Sequence, residues 1–121
     1  MPKRILIAEA NALMSEVMTY ILMNYGYEVF TTNTGTGVFE HIKTDHPDLL
    51  ILDALLPGIN GSEICQLIKL NKGTSRLPVI MCLDDDSIDD ALNHKGAPDD
   101  VLRKPFDMNC LIEKIEHQLA A

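Results

Sequence analysis

The sequence has no tryptophan, few other aromatic residues and only three cysteines, and none of its apolar runs is long enough to cross a membrane. Cys65, Cys82 and Cys110 are odd in number and lack metal-ligand spacing, so we predict reduced thiols rather than disulfides or a zinc site. The amino terminus lacks the apolar region and cleavage site of a signal peptide. These absences predict a cytoplasmic protein with no membrane contact.

Basic residues are also scarce, with 10 Lys and Arg against 18 Asp and Glu and a formal net charge of −8. Because binding to a phosphate backbone depends on Lys and Arg, this balance argues against nucleic acid as a direct ligand. Seven of the 18 acidic residues lie between Asp84 and Asp100. This segment is either a solvated loop and helix face or an acidic surface that docks a basic partner or holds a cation, and the sequence leaves both open.

Residues 1–121 are predicted to form one domain, because this length is typical of a single hydrophobic core. Short apolar segments alternate with segments in which apolar residues recur at helical spacing, such as Leu13, Val17, Tyr20 and Ile21 after a predicted N-cap at Asn11. The alternation predicts an α/β fold with a doubly wound, five-stranded parallel sheet flanked by five helices. The predicted strands are residues 3–8, 28–32, 49–52, 79–83 and 101–103, and the predicted helices are 12–23, 36–46, 62–70, around 88–92, and 108–120.

The most informative stretch runs from Asp48 to Gly61 and reads DLLILDALLPGING. Its apolar run is predicted to be a strand buried on both faces, and it stops at an ionisable residue, Asp53, before several turn formers. In open parallel sheets, ligands bind outside the carboxyl ends of the strands, which is where Asp53 is predicted to lie. A lone Asp at a strand end more often only starts a turn, so the other strand ends must decide its role.

The ends of the first and fifth predicted strands carry Glu9 and Lys104, which are expected to converge with Asp53 at one edge of the sheet. A carboxylate can act as a nucleophile toward a phosphoryl group when the charges of both are offset. Mg²⁺ held by carboxylates and a backbone carbonyl offsets that charge, and a lysine grips a phosphate oxygen. Glu9, Asp53 and Lys104 fit these roles.

From Lys3 to about Leu119 the chain resembles the receiver domain of two-component response regulators, whose fold is flavodoxin-like. The resemblance is carried by KRILIAE, by DLLILDALLPGINGSEI around Asp53, by LPVIM, and by Gly96-Ala97 followed by LRKPFD. It implies that Asp53 accepts a phosphoryl group from the histidine of a kinase or phosphotransfer protein and that Lys104 contacts the phosphoryl oxygens. It also implies Mg²⁺ held by Glu9, Asp53 and the backbone carbonyl of Leu55, and a cis Lys104–Pro105 peptide bond.

The same resemblance implies a signalling domain rather than an enzyme that acts on a separate substrate. Its partners would be the phosphodonor and either a downstream protein or a fused output domain, bound through the face that the fourth helix, fifth strand and fifth helix form in this family. A homodimer is left open.

Several positions depart from the family pattern. Ala10 replaces an acidic residue that ligates the metal directly, so Mg²⁺ binding is predicted to be weak. Leu83 stands where the family has a switch Ser or Thr, and Val101 stands where it has a mobile aromatic residue, after a one-residue insertion near Pro98. Three interpretations follow: a phosphoaccepting receiver with a weakened metal site, a pseudo-receiver that binds proteins without being phosphorylated, and a metal-assisted phosphatase. The third is disfavoured because no further acid or base and no substrate pocket is predicted.

Overall fold

Five parallel strands form a single sheet in the order β2-β1-β3-β4-β5 in a computed structural model, which describes residues 1–84 and 91–120. The sheet confirms the predicted fold class, and the strand bounds lie within one residue of those predicted. The strands are β1 (Arg4–Ala8), β2 (Glu28–Thr32), β3 (Leu49–Asp53), β4 (Val79–Leu83) and β5 (Asp100–Arg103).

Four helices flank the sheet within the described residues: α1 (Ala12–Asn24), α2 (Gly35–Asp45), α3 (Gly61–Leu70) and α4 (Met108–Ala120). The short helix predicted around residues 88–92 lies mostly outside the described residues, although Ala91 and Leu92 are helical. Asn11 caps α1 as predicted, because its side chain accepts a hydrogen bond from the Met14 N–H at 3.0 Å. The Asp107 carboxylate, predicted to cap the terminal helix, accepts one from the Asn109 N–H at 2.6 Å.

The sheet is doubly wound, since an apolar cluster covers each of its faces. Every residue of β3 and β4 is buried, which explains why their sequences are continuously apolar rather than alternating. On one face Leu50 and Leu52 pack with residues of α2 and α3, and on the other Ile51 packs with residues of α1 and α4. The central strands are therefore held from both sides.

Of the apolar stripe that predicted α1, only Ile21 packs against the core. Leu13 and Tyr20 are each 70% exposed and Val17 is 44% exposed, whereas Met18 and Leu22 are buried against the sheet. Apolar residues occur on every side of this helix, so the periodicity identified the helix without identifying its inner face.

The strand register aligns the carboxyl ends at one edge of the sheet, with Asp53 opposite Cys82 and Leu83 opposite Arg103. The segments that follow the strands carry Glu9, Asp84 and Lys104. The Lys104–Pro105 peptide bond is cis, as the resemblance implied. This edge holds the candidate site.

Candidate functional site

Asp53 is the last residue of the central strand, and its side chain is only 4% exposed. Its Oδ1 accepts hydrogen bonds from Lys104 Nζ at 2.6 Å and from the Leu55 N–H at 3.0 Å. Gly61 lets α3 begin directly beside the strand, because a Cβ there would lie 2.8 Å from the Asp53 carbonyl oxygen. The predicted convergence of Asp53 and Lys104 is therefore present, although the two residues are 51 positions apart.

Glu9 completes the cluster, since its buried side chain forms a hydrogen bond with that of Asp53. Glu9 Oε2 also accepts a hydrogen bond from the Asn11 N–H at 3.1 Å, just before α1. Burial and the contact with Asp53 raise the pKa of Glu9, so this carboxyl group holds its proton to a higher pH than a free glutamate does. Asn11, which caps α1, thus also anchors Glu9.

Lys104 keeps Asp53 ionised. Burial alone would raise the pKa of Asp53, but hydrogen bonds from Glu9, Lys104 and the Leu55 N–H outweigh burial and lower it. Burial would likewise lower the pKa of Lys104, but its hydrogen bond to Asp53 and the nearby negative charge raise it. The pair is therefore a carboxylate and an ammonium at neutral pH, and the Asp53 oxygens carry the negative charge that a nucleophile needs.

Replacing Glu9 with glutamine should change how stability depends on pH. Because the pKa of Glu9 is raised on folding, its stabilising contribution is complete below its unfolded pKa of about 4.3 and is lost as pH rises through the folded pKa. Glutamine cannot ionise and still donates a hydrogen bond to Asp53. Urea unfolding should therefore show Glu9→Gln gaining free energy of unfolding relative to the wild type as pH rises above about 4.3.

The matched control for that experiment is Glu16→Gln on the exposed surface of α1. It removes one carboxyl group from the surface and so measures the effect of the substitution itself. The same pH dependence in Glu9→Gln as in this control would contradict the raised pKa of Glu9.

Of the predicted metal ligands, the side chains of Glu9 and Asp53 lie together. Glu9 and Asp53 are in contact, and the loop that carries Leu55 is closed by a bridge between Leu55 and Asn60. Ala10 is exposed beside them and supplies no ligand. Within residues 1–84 and 91–120, no group of three or more His, Cys, Asp or Glu side chains is arranged to hold a metal ion. Two carboxylates and a carbonyl fit a Mg²⁺ ion that keeps several of its waters.

The two predicted switch positions lie in one apolar cluster. Leu83 is 2% exposed at the end of β4, and it belongs to the cluster that also contacts Val101 of β5. Neither side chain carries a hydroxyl or an aromatic ring. Neither can therefore follow a phosphoryl group by hydrogen bonding.

Introducing the family's hydroxyl group at position 83 should destabilise the protein rather than restore a switch. Leu83→Thr removes buried apolar volume and places a polar group in an apolar cluster, so we expect a loss of about 3 kcal/mol in the free energy of unfolding. The control Leu67→Thr, at an exposed position of α3, should lose about 1 kcal/mol or less. Equal stability of Leu83→Thr and the wild type in urea would show that the hydroxyl finds a partner.

Two of the three described acids of the acidic segment form ion pairs. Asp99 Oδ2 accepts hydrogen bonds from Lys69 Nζ at 2.8 Å and from the Val79 N–H at 2.8 Å, and Asp100 Oδ1 lies 3.1 Å from Lys114 Nζ. Asp99 and Asp100 thus form contacts within the fold, whereas Asp84 is exposed beside the site. The other four acids of the segment lie outside the described residues.

Cys82 of β4 is a neighbour of the site that the sequence analysis did not single out. It is buried opposite Asp53 in the register, and burial raises the pKa of its thiol to about 12. The thiol is therefore neutral and adds no charge beside the carboxylates. No disulfide forms among the cysteines, and Cys65 is also buried whereas Cys110 is exposed.

Comparison with known proteins assigns the class to which this fold and site belong. The family model for the response regulator receiver domain matches residues 5–116, so the chain belongs to the receiver domains of two-component response regulators. Within the described residues, no helix is long and apolar enough to span a bilayer.

Particular relatives agree with this class. The DNA-binding response regulator MtrA of Mycobacterium tuberculosis is 29% identical over 120 residues, which are 98% of this chain and 51% of MtrA. A candidate response regulator of Chloroflexus aurantiacus has a crystal structure with a TM-score of 0.91 and 30% identity, with both chains fully covered. The receiver domain of a histidine kinase from Syntrophus aciditrophicus gives a TM-score of 0.89 at 26% identity, covering 98% of this chain and 90% of that one. The chain spans about half the length of MtrA.

Proposed function

We propose that this receiver domain accepts a phosphoryl group on Asp53 from the phosphohistidine of a kinase or phosphotransfer protein. The observation that carries the proposal is the 2.6 Å contact between Lys104 Nζ and Asp53 Oδ1 at the carboxyl end of the central strand. Lys104 holds the nucleophile ionised and offers its charge to the incoming phosphoryl oxygens. The transfer ends on the domain's own carboxylate, so the domain acts as a phosphoacceptor and not as an enzyme with a separate substrate.

Mg²⁺ is the metal that the donor set suits, with Glu9, Asp53 and the Leu55 carbonyl as its ligands. When bound, it neutralises the charge between the carboxylates and the phosphoryl oxygens. Binding requires an ionised Glu9, whose pKa is raised by burial and by the contact with Asp53. Together with the missing carboxylate at Ala10, this requirement supports weak binding of the metal.

The direct test is the intact mass of the protein after incubation with acetyl phosphate and Mg²⁺, beside an Asp53→Asn control. We expect a gain of one phosphoryl group that requires both Asp53 and the metal. Asparagine is similar in shape to aspartate but is not a carboxylate nucleophile, so the variant should show no gain. Absence of any gain in the wild type, also with phosphoramidate and at higher Mg²⁺, would overturn the proposal.

A second candidate function is that of a pseudo-receiver, a protein-binding module that works without phosphorylation. It is favoured by the apolar cluster that holds both Leu83 and Val101. The two candidate functions are distinguished by backbone amide NMR shifts near β5 and the terminal helix α4. These shifts are compared with and without a phosphoryl mimic. Small shifts there would support the pseudo-receiver, and large shifts would support a receiver that switches this face.

The partner on the output side is proposed to be a downstream protein or a fused output domain. This chain resembles about half of the length of MtrA, which is a DNA-binding response regulator. Any such DNA binding would belong to a segment other than this acidic domain.

A further inference from the structure

The first helix, α1, presents an apolar face to solvent. Six large apolar side chains of this helix and its C-cap are each at least 42% exposed: Leu13, Met14, Val17, Tyr20, Met23 and Tyr25. Leu13, Val17 and Tyr20 recur at helical spacing. They lie on the side of α1 opposite the buried Met18 and Leu22. Single exposed apolar residues are normal, but a contiguous patch of this kind marks a surface that binds another molecule.

The same segment carries almost no charge. Between Glu9 and Glu28 the only charged residue is Glu16, although the whole chain has a formal net charge of −8. Two copies of so acidic a chain repel each other least where they meet at their least charged surfaces. A strongly charged partner would find a single carboxylate to recognise on α1. The face therefore suits a second copy of this chain, which offers the same nearly uncharged apolar surface.

The size of this apolar face also suits contact between two copies. A fully exposed residue of this size offers on the order of 200 Å² of accessible surface, so the six residues present roughly 700 Å² at their observed exposures. One partner in a stable interface buries about 800 Å². The helix alone therefore supplies most of the area that a stable dimer needs.

We propose that the chain forms a twofold homodimer in which α1 packs antiparallel against α1 of a second copy. Antiparallel packing opposes the two helix macrodipoles, which parallel packing would align side by side. A twofold axis between positions 18 and 19 places Val17 level with Tyr20 of the second copy, and the reverse. Glu16 lies to one side of the apolar stripe and is exposed, so its carboxylate remains in water at the rim of the contact.

The test is sedimentation velocity of the full chain from about 1 µM to about 500 µM, a range that covers micromolar dissociation constants. The wild type should shift from monomer to dimer within it. Tyr20→Glu should weaken the dimer by at least about thirtyfold, because the symmetry places the added charge in the contact twice. The control Leu67→Glu adds the same charge at an exposed apolar position of α3 and should change the dissociation constant by less than about threefold. Circular dichroism verifies that each variant is folded.

A mixture of two variants tests whether α1 meets α1. Val17→Lys alone should also weaken the dimer, for the same reason as Tyr20→Glu. An equimolar mixture of the two should associate to within about fivefold of the wild type, because each mixed dimer pairs one lysine with one glutamate and keeps one unaltered contact.

Three results would each overturn this inference. They are a wild type that stays monomeric at the highest concentration, an equal loss of association in Tyr20→Glu and Leu67→Glu, and a mixture that does not recover. A monomeric wild type would leave the apolar face to a protein other than this chain. The experiment uses no phosphodonor, so the proposed phosphoryl transfer to Asp53 stands or falls independently of its result.

Discussion

Replacing Lys104 with alanine should slow the phosphorylation of Asp53 by acetyl phosphate and Mg²⁺ by about a hundredfold. The lysine is the cation that contacts Asp53, at 2.6 Å, and it offsets the charge of a nearly buried carboxylate. Without it, the pKa of Asp53 rises and the incoming phosphoryl group meets uncompensated negative charge. The rate is measured as the gain of one phosphoryl mass with time.

Lys114→Ala is a matched control for this experiment. The side chains of Lys104 and Lys114 are both 28% exposed and both form an ion pair with an aspartate, but Lys114 pairs with Asp100 at the edge strand. Its removal should change the rate by less than about twofold. Lys104→Arg retains the charge but changes the shape of the side chain. Its phosphorylation rate should therefore lie between the rates of Lys104→Ala and Lys114→Ala. If Lys104→Ala and Lys114→Ala had the same rate, Lys104 would have no part in the transfer.

Replacing Ala10 with aspartate should raise the affinity for Mg²⁺ by about tenfold or more, because it adds a carboxylate to a site that has two. Ala10 is exposed beside Glu9, so the new side chain needs no rearrangement of the core. Calorimetric titration with Mg²⁺ measures the change. The same variant should unfold more easily in a chelator, since three acidic groups then lie close together without a cation.

A control for net charge is Ala12→Asp, which adds the same charge two residues away in the first turn of α1. It should improve the affinity far less than Ala10→Asp, since only position 10 corresponds to the missing ligand. Equal gains in the two variants would mean that general electrostatic attraction accounts for the effect. Equal affinity of Ala10→Asp and the wild type would refute the account of weak binding.

Much of the architecture was predictable because its causes are local. Continuous apolar runs identified the central strands, and Asn11 marked the start of α1 through its capping side chain. The turn formers after Asp53 placed that carboxylate at a strand end, and strand ends in a parallel sheet share an edge. The meeting of Asp53 with Lys104 was predictable because Lys104 directly follows the fifth predicted strand.

What could not be predicted depends on contacts between distant segments. The inner face of α1 was not evident, because its apolar residues surround the helix and only the sheet selects Met18 and Leu22. Asp99 pairs with Lys69, which lies 30 positions earlier in the chain. From the sequence, Asp99 was simply one of the acids in the acidic segment. The raised pKa of Glu9 depends on burial, which the spacing of residues in the sequence does not reveal.

The hydrogen bond from the Asn11 N–H to Glu9 makes the start of α1 a spectroscopic reporter of the acceptor carboxylate. Any event that draws Glu9 away from Asp53 also changes the partner of this amide, whose proton resonance is sensitive to the charge on the oxygen that it meets. The side chains of Leu83 and Val101 at the switch positions have no polar atom that could report on the site in this way. The first turn of α1 therefore offers an amide signal that reports on the contact between Glu9 and Asp53.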